Sequence, residues 1–256
     1  MKKLYGIIAP ASLIIIWQAV SSLHVISQLL LPTPLSVFLA LLQIVTSGQI
    51  IPDLNASVIR ILGGYFLALL ISLPIGMLMG YFQKIDLTLE PMVNFLRSVP
   101  STALFPFFLL FFGIGDESKM AIVVYASALI LIVSTTFGVK HRNPLRILVA
   151  KSLKMNKIDV FLKVIIPEAL PEIFVGLRIA ISYSIILVIF TEMWIGTTSG
   201  LGQVIYEAQL VYEIPTMIAV IFIAGVIGYI SNRLIGFVEK KLTPWNVNTQ
   251  NEDYHG

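Results

Sequence analysis

Residues 4–23 contain no charged side chain, and stretches of similar length and composition recur along the chain at 57–81, 91–114, 119–139, 173–195 and 214–237. An α-helix rises 1.5 Å per residue, so about 20 apolar residues match the roughly 30 Å hydrocarbon core of a bilayer. Six such stretches predict an all-α integral membrane protein with six transmembrane helices. With 57% hydrophobic and 12% charged residues, the chain has too little polar surface to coat a water-soluble globule. Lys2 and Lys3 before the first stretch would also suit a signal peptide, but the stretch is long for one and lacks a clean small-x-small cleavage site. It is read as a retained helix. Residues 31–45 are apolar but short and broken by Pro32 and Pro34, which suits an interfacial or re-entrant helix better than a span. The chain divides on this reading into 1–56, the first helix with an extracytoplasmic amphipathic segment; 57–237, a five-helix core; and 238–256, a polar tail.

Lys and Arg are unevenly shared among the connections. Lys140, Arg142, Arg146, Lys151, Lys154, Lys157 and Lys163 crowd the connection between the fourth and fifth stretches, whereas residues 196–213 hold Glu207 and Glu213 and no base. Cytoplasmic loops are enriched in basic residues, so the basic connection is expected inside. Six spans then place both termini in the cytoplasm, in keeping with Lys2, Lys3, Arg233, Lys240 and Lys241.

That basic connection, residues 140–172, is far longer than joining two spans requires. From Pro144, the apolar residues Leu145, Leu148, Val149, Leu153, Val160 and Phe161 recur near helical spacing, with Lys151, Lys154, Asn156 and Lys157 on the other side. The pattern predicts a short amphipathic helix, which either lies on anionic inner-leaflet lipid or docks a protein partner.

The same segment resembles the signature of type I ABC importer permeases: Glu-Ala-Ala, three residues, Gly, nine residues, Ile-x-Leu-Pro. Leu148, Val149 and Ala150 stand at its first three places, Lys154 at the glycine, Val164 at the isoleucine, and Ile166 with Pro167 at its end; Ala150 and Pro167 are identities. Further patterns resemble the nitrate, sulfonate and taurine subgroup of these permeases. They are Leu31-Pro32-Thr33-Pro34, Arg60 to Gly64, Leu96-Arg97-Ser98-Val99-Pro100, Gly113-Ile114-Gly115, Pro171 to Arg178, and Glu192-Met193 leading to Ser199-Gly200-Leu201-Gly202. The resemblance implies the type I ABC importer permease fold. It also implies a coupling segment of Val149, Ala150, Lys151, Ser152, Leu153, Lys154, Met155, Asn156, Lys157 and Pro167 that docks an ATPase subunit. The partners it implies are two such ATPases, an extracytoplasmic solute-binding protein and a second copy of the permease, in a prokaryotic cytoplasmic membrane. Its cargo would be a small solute such as a sulfonate, taurine, nitrate or a vitamin precursor. At Lys154 a glycine's positive φ would cost roughly 1–2 kcal/mol, so a differently shaped turn is expected.

Ionisable groups inside spans cost about 2.5–3.5 kcal/mol on insertion scales and mark functional suspects. Arg97 and Arg178 either snorkel to inner phosphates or serve the pathway; Glu192, with its short stem, either pairs structurally or lines the pathway. Ser98, Ser101, Ser134 and Ser182 join them as candidate wall residues, although serines also glue membrane helices together. If the cargo is an oxyanion, Arg97 could offset its charge.

Several chemistries are excluded or disfavoured. With no cysteine there is no disulfide, thiolate metal site or cysteine nucleophile. His24, His141 and His255 fall outside the spans, no two metal-ligating residues share a span at i, i+3 or i, i+4, and no cofactor is expected. An intramembrane hydrolase therefore has no base beside a nucleophile. No Gly-x4-Gly-Lys-Ser/Thr loop is present, so energy from ATP would come from another subunit. Basic residues sit between apolar runs rather than on one wet face, which argues against nucleic acid. An ATP-independent secondary transporter is the remaining alternative, but it needs no docking loop and usually shows two matching halves.

Overall fold

The computed structural model describes residues 2–23, 27, 29–194 and 197–245. Every regular element among them is helical, as a bilayer demands: lipid offers no hydrogen bonds, and a helix satisfies its own backbone. In chain order the helices are α1 (Lys2–Ser22), α2 (Pro34–Ser47), α3 (Ile51–Tyr81), α4 (Gln83–Ser98), α5 (Phe105–Phe112), α6 (Asp116–Lys140), α7 (Pro144–Ser152), α8 (Lys157–Val160), α9 (Ile166–Glu192), α10 (Leu201–Leu210) and α11 (Ile214–Leu242). They form two compact units, one of residues 1–58 with 189–226, the other of 59–188 with 227–256. The expected tail, 238–256, begins within α11, and its residues 246–256, together with His24 and the end of the fifth stretch at Ile195, lie outside the described residues.

Four helices are long and apolar enough to cross a membrane: α3, α6, the helix Lys157–Glu192 and α11. The third expected stretch is a correction. It is not one helix but two, Gln83–Ser98 and Ser101–Phe112, bent by 84°. Pro100 lacks an N–H and bars its predecessor from helical angles, and Val99 is accordingly extended at φ −79, ψ 122. Pro106, placed in the first turn of α5, costs nothing there because that N–H has no helical acceptor. Pro74, Pro91 and Pro171 remain inside continuous helices. The fifth stretch is also longer than its apolar run, since α8 feeds α9 through a π turn at Phe161–Ile165, immediately before Pro167. A proline ring crowds the carbonyl four residues back, here Lys163, and a widened turn relieves that crowding. The first stretch is an apolar helix, with Ile8–Ser22 as its described portion.

In the larger unit, α6 is the hub. Every fourth residue of α6, from Val123 through Ser127, Leu131 and Thr135 to Val139, is fully buried. Facing this row is a ladder of small residues on α3: Gly64, Ala68, Ser72, Gly76 and Gly80, all buried. A Cβ on Gly76 would stand 2.6 Å from Thr135 Cβ and 2.9 Å from the Ile132 carbonyl oxygen. The absence of that atom lets the two backbones approach, and Thr136 Oγ1 then donates across the gap to the Gly76 carbonyl at 3.2 Å. On α9, Gly176 backs onto Ser134, and Ser184 Oγ lies 3.0 Å from Ser127 Oγ.

In the smaller unit, the Leu31-Pro32-Thr33-Pro34 turn is tied to α1, as Trp17 Nε1 donates to the Pro32 carbonyl at 2.9 Å and Ser21 Oγ to Leu31 at 3.0 Å. Thr33 caps α2 by accepting from the Ser36 N–H at 3.2 Å, with Pro34 opening the helix. Leu35, Phe38, Leu39, Leu42 and Val45 are left exposed on this short helix, as expected of a segment lying in the interface.

The α3–α6 contact predicts a sharp contrast between glycines. Gly76→Ala should lower thermal stability in detergent by about 1–3 kcal/mol through overpacking. Gly225→Ala, where an added Cβ meets nothing within 4 Å, should leave stability unchanged or slightly raised.

Candidate docking site

The segment after α6 is shaped by caps at each end. Asn143 Oδ1 accepts the Leu145 N–H at 2.9 Å, and Pro144 begins α7 where its missing N–H is not needed. The Asn143 N–H donates to Glu168 Oε1 at 3.0 Å, and Arg146 lies 3.5 Å from the same oxygen. The start of α7 is thereby fastened to the first turn of α9. At its other end the Met155 N–H returns to the Ala150 carbonyl at 3.1 Å and the Lys154 N–H to Lys151 at 2.9 Å. This pair of bonds is the Schellman closure of a helix, which places its C′ residue in the left-handed region. That residue is Lys154, at φ 54. The differently shaped turn expected of a lysine is therefore not found: lysine adopts the backbone that glycine favours, held by two hydrogen bonds. Asn156 then caps α8 by accepting the Asp159 N–H at 2.7 Å.

Outward from this frame point Leu145, Leu148, Val149, Leu153 and Ile158, all more than half exposed and interleaved with exposed Lys151, Lys154 and Lys157. Ser152 and Asn156 are exposed and Met155 is half-buried. Three expectations need correction. Ala150, read as a docking contact, is only 2% exposed and faces its own chain. Pro167 is half-buried in the first turn of α9 and does not belong to the outward face. Val160 and Phe161, assigned to the same apolar face as Leu145, pack inward against Val139, Ile165 and Ala169, where Phe161 meets the Tyr81 ring edge-on at 5.2 Å. A single helical period misassigned these residues because α7 and α8 are separate helices on either side of a tight turn.

The six candidate wall residues do not form one site. Arg97 and Ser98 are exposed at the end of α4, and Ser101 is half-buried in the 3-10 turn at the bend. Ser134 sits in the α6–α9 contact beside Gly176. Ser182 donates to the Arg178 carbonyl at 3.0 Å and accepts from Asn232 Nδ2 at 2.9 Å, a helix-gluing role. Arg178 has a partner within the chain: its Nη2 lies 3.0 Å from Glu239 Oε2, a carboxylate near the end of α11.

Glu192 is 1% exposed and belongs to a built network in the smaller unit. The N–H groups of Gly200, Leu201 and Gly202, which open α10, donate to Asp53 Oδ1 at 2.8 Å, Ser57 Oγ at 2.9 Å and Glu192 Oε2 at 3.0 Å. Ser57 Oγ in turn donates to the Glu192 carboxylate at 2.7 Å. A helix N-terminus leaves such N–H groups without intrahelical partners and favours negative charge, so the two acids suit it. The pathway reading of Glu192 gives way to structural pairing. Asp53 and Ser57 escaped the sequence reading; their i, i+4 spacing on the first turns of α3 was the available signal.

Several membrane-length helices with an outward-facing apolar and basic segment describe a multi-pass membrane protein that offers a surface outside its spans. The chain belongs to the family described as "Binding-protein-dependent transport system inner membrane component", whose model matches residues 72–244. It is 32% identical over 94% of its length to the taurine transport system permease protein TauC of Escherichia coli, covering 89% of that protein. It is 31% identical over 75% of its length to the nitrate import permease protein NrtB of Leptolyngbya laminosa, covering 68% of that protein. Among solved structures it resembles the inward-facing MetNI methionine ABC transporter, with a TM-score of 0.64 at 20% identity, covering 75% of this chain and 94% of that one. The chain is thus a permease subunit of an ABC importer in the cell membrane, and not an enzyme.

Because Lys154 occupies a left-handed position, Lys154→Gly should stabilise the α7–α8 turn by about 1 kcal/mol, read as a raised unfolding temperature in detergent.

Proposed function

We propose that this permease works as one of two copies that together enclose a pore, each driven by an ATPase subunit and supplied by an extracytoplasmic binding protein. The observation that carries the docking role is the exposure of Leu145, Leu148, Val149, Leu153 and Ile158 on a segment whose lysines favour the cytoplasmic side. Contiguous apolar side chains in water, rimmed by charge, mark a surface that a partner covers. The alternative of a basic helix resting on lipid suits this segment less, because the lysines are interleaved with the outward leucines rather than set on an opposite face.

The topology proposed is six spans with both termini cytoplasmic: α1, α3, the bent α4–α5 pair, α6, α8–α9 and α11. The cargo proposed is a small anion of the sulfonate or nitrate kind, on the strength of the taurine and nitrate permeases that this chain resembles. Arg97 is the residue best suited to meet it. It is exposed at the break between α4 and α5, and no ion pair engages it among the described residues. An ATP-independent transporter would have no use for the outward face of α7.

Two outcomes test this reading. Leu148→Asp or Leu153→Asp should abolish co-purification of the ATPase while leaving the permease's thermal stability within about 0.5 kcal/mol, as expected of exposed positions. Ala150→Asp, at a buried position, should destabilise the permease itself by several kcal/mol, about the penalty for burying an unpaired charge. Separately, Arg97→Ala should cut uptake of an anionic cargo by about tenfold or more, the worth of a lost charge-assisted hydrogen bond; unchanged uptake would remove Arg97 from the pathway.

A further inference from the structure

One face of α4 is turned to its own chain: Ile85, Leu89, Val93 and Leu96 pack around Met79 of α3 and Leu129 and Ile132 of α6. From residue 90 onward the rest of its surface divides by chemistry. At 3.6 residues per turn, Glu90, Asn94, Arg97 and Ser98 fall on one flank and Pro91, Met92 and Phe95 on the other, all of them exposed. No ion pair engages Glu90 or Arg97 among the described residues. Ser98 Oγ donates to the Asn94 carbonyl of its own helix at 3.0 Å, so its oxygen can still accept.

Contacts with α6 fix the depth of the polar flank. Asp86, near the start of α4, pairs with Lys140 at the end of α6, and the Tyr125 hydroxyl donates to the Leu96 carbonyl at 2.7 Å. About 22 Å of helix separates Lys140 from Tyr125. Because α6 runs from Asp116 to Lys140 and is of membrane length, Leu96 and its neighbour Arg97 lie beside the middle of the bilayer. Headgroups begin about 15 Å from that midplane, too far for an arginine to reach by snorkelling. An ionisable side chain exposed at such depth faces water in a cavity rather than acyl chains. Lipid phosphate suits the flank poorly as well, since Glu90 shares it with Arg97. Pro91, Met92 and Phe95 show that only one side of α4 is built this way; Met92 and Phe95 are exposed by 59% and 70% and present nothing that water would solvate.

We propose that the Glu90, Asn94, Arg97 and Ser98 flank of α4 is one wall of a water-filled translocation conduit, which runs from the start of α4 to the α4–α5 bend at mid-depth. Glu90 and Asn94 thereby join Arg97 in the pathway, and the conduit offers a solute hydrogen bonds and both signs of charge where lipid would offer neither. The opposite flank, with Met92 and Phe95, is covered by apolar surroundings. This inference rests on the translocation reading and adds to it the face of the chain that the solute passes.

The chain has no cysteine, so single thiols can be introduced without background. Asn94→Cys, Ser98→Cys and Phe95→Cys, each at an exposed position, would be made in the full permease complex and reconstituted into lipid vesicles. A charged, membrane-impermeant methanethiosulfonate is then supplied on both sides, without ATP or cargo. Only the thiolate reacts, and each unit by which apolar surroundings raise a thiol's pKa removes about nine-tenths of it. Asn94→Cys and Ser98→Cys should therefore be modified at least about tenfold faster than Phe95→Cys. The two polar-flank variants are independent, so loss of one on folding leaves the other as the test. Rates on the polar flank as slow as at Phe95 would mean that lipid or a second copy covers it, and would overturn the proposal. Equal, fast rates at all three positions would put the whole helix in water and would overturn it too. The translocation reading itself is tested by co-purification of the ATPase, so its failure shows there and not in the thiol rates.

Discussion

The close approach of α3 to α6 is the contact on which the larger unit depends. Water drives soluble helices together by expelling them from itself, but lipid tails are as apolar as leucine, so membrane helices associate through packing and hydrogen bonds. The Gly64, Ala68, Ser72, Gly76 and Gly80 ladder supplies the packing by removing side-chain bulk along one face of α3. The bond from Thr136 to the Gly76 carbonyl exists only because no side chain intervenes. From the same buried row of α6, Ser127 reaches α9 and shares a hydrogen bond with Ser184 in a fully buried setting. Held by both neighbours, α6 carries its end, Lys140 to Asn143, to a fixed place, and the α7–α8 segment begins there.

The docking segment inherits that rigidity. Asn143 and Arg146 converge on Glu168, so α7 is tied to α9 at its start. The Schellman closure at Ala150 to Met155 and the Asn156 cap leave no slack between α7 and α8, and α8 runs through the π turn into a helix that continues to Glu192. A force applied to the outward leucines of α7 would therefore meet no flexible linker before the long helix. Lys154 at φ 54 shows what this stiffness costs, since the two closing bonds hold a non-glycine residue where isolated chains avoid it.

The four membrane-length helices were legible in the sequence because lipid imposes one rule on every residue within them: enough apolar length, no unpaired charge. The break of the 31–45 segment at Pro32 and Pro34 was legible for an equally local reason, the conformational restriction of proline. What failed was periodicity across a hidden break. Val160 and Phe161 shared a helical phase with Leu145 and Leu148, but the tight turn after Leu153 reset that phase and sent them inward. Ala150 matched a motif position and was read as a surface contact, whereas its small side chain is what lets α7 lie against its own chain. The stretch 91–114 was read as one span because hydropathy does not register the 84° bend that follows from Pro100, an extended Val99 and a 3-10 turn. Long-range pairs were out of reach: Ser57 and Glu192 are 135 positions apart, and nothing local in either segment names the other.

The two ionisable groups Glu192 and Arg97 show why membrane burial alone does not identify a pathway residue. Both fall within apolar stretches, and both carry the same insertion penalty on paper. Glu192 offsets its penalty entirely within the chain: a hydroxyl donates to it, a helix N-terminus faces it, and it is sealed from solvent. Such a group has nothing left to offer a passing solute. Arg97 stands at the point where the α4 helix has broken, exposed, with no carboxylate engaged and five N–H donors to place. Of the two, Glu192 has its charge answered within the chain, and Arg97 has no ion pair among the described residues.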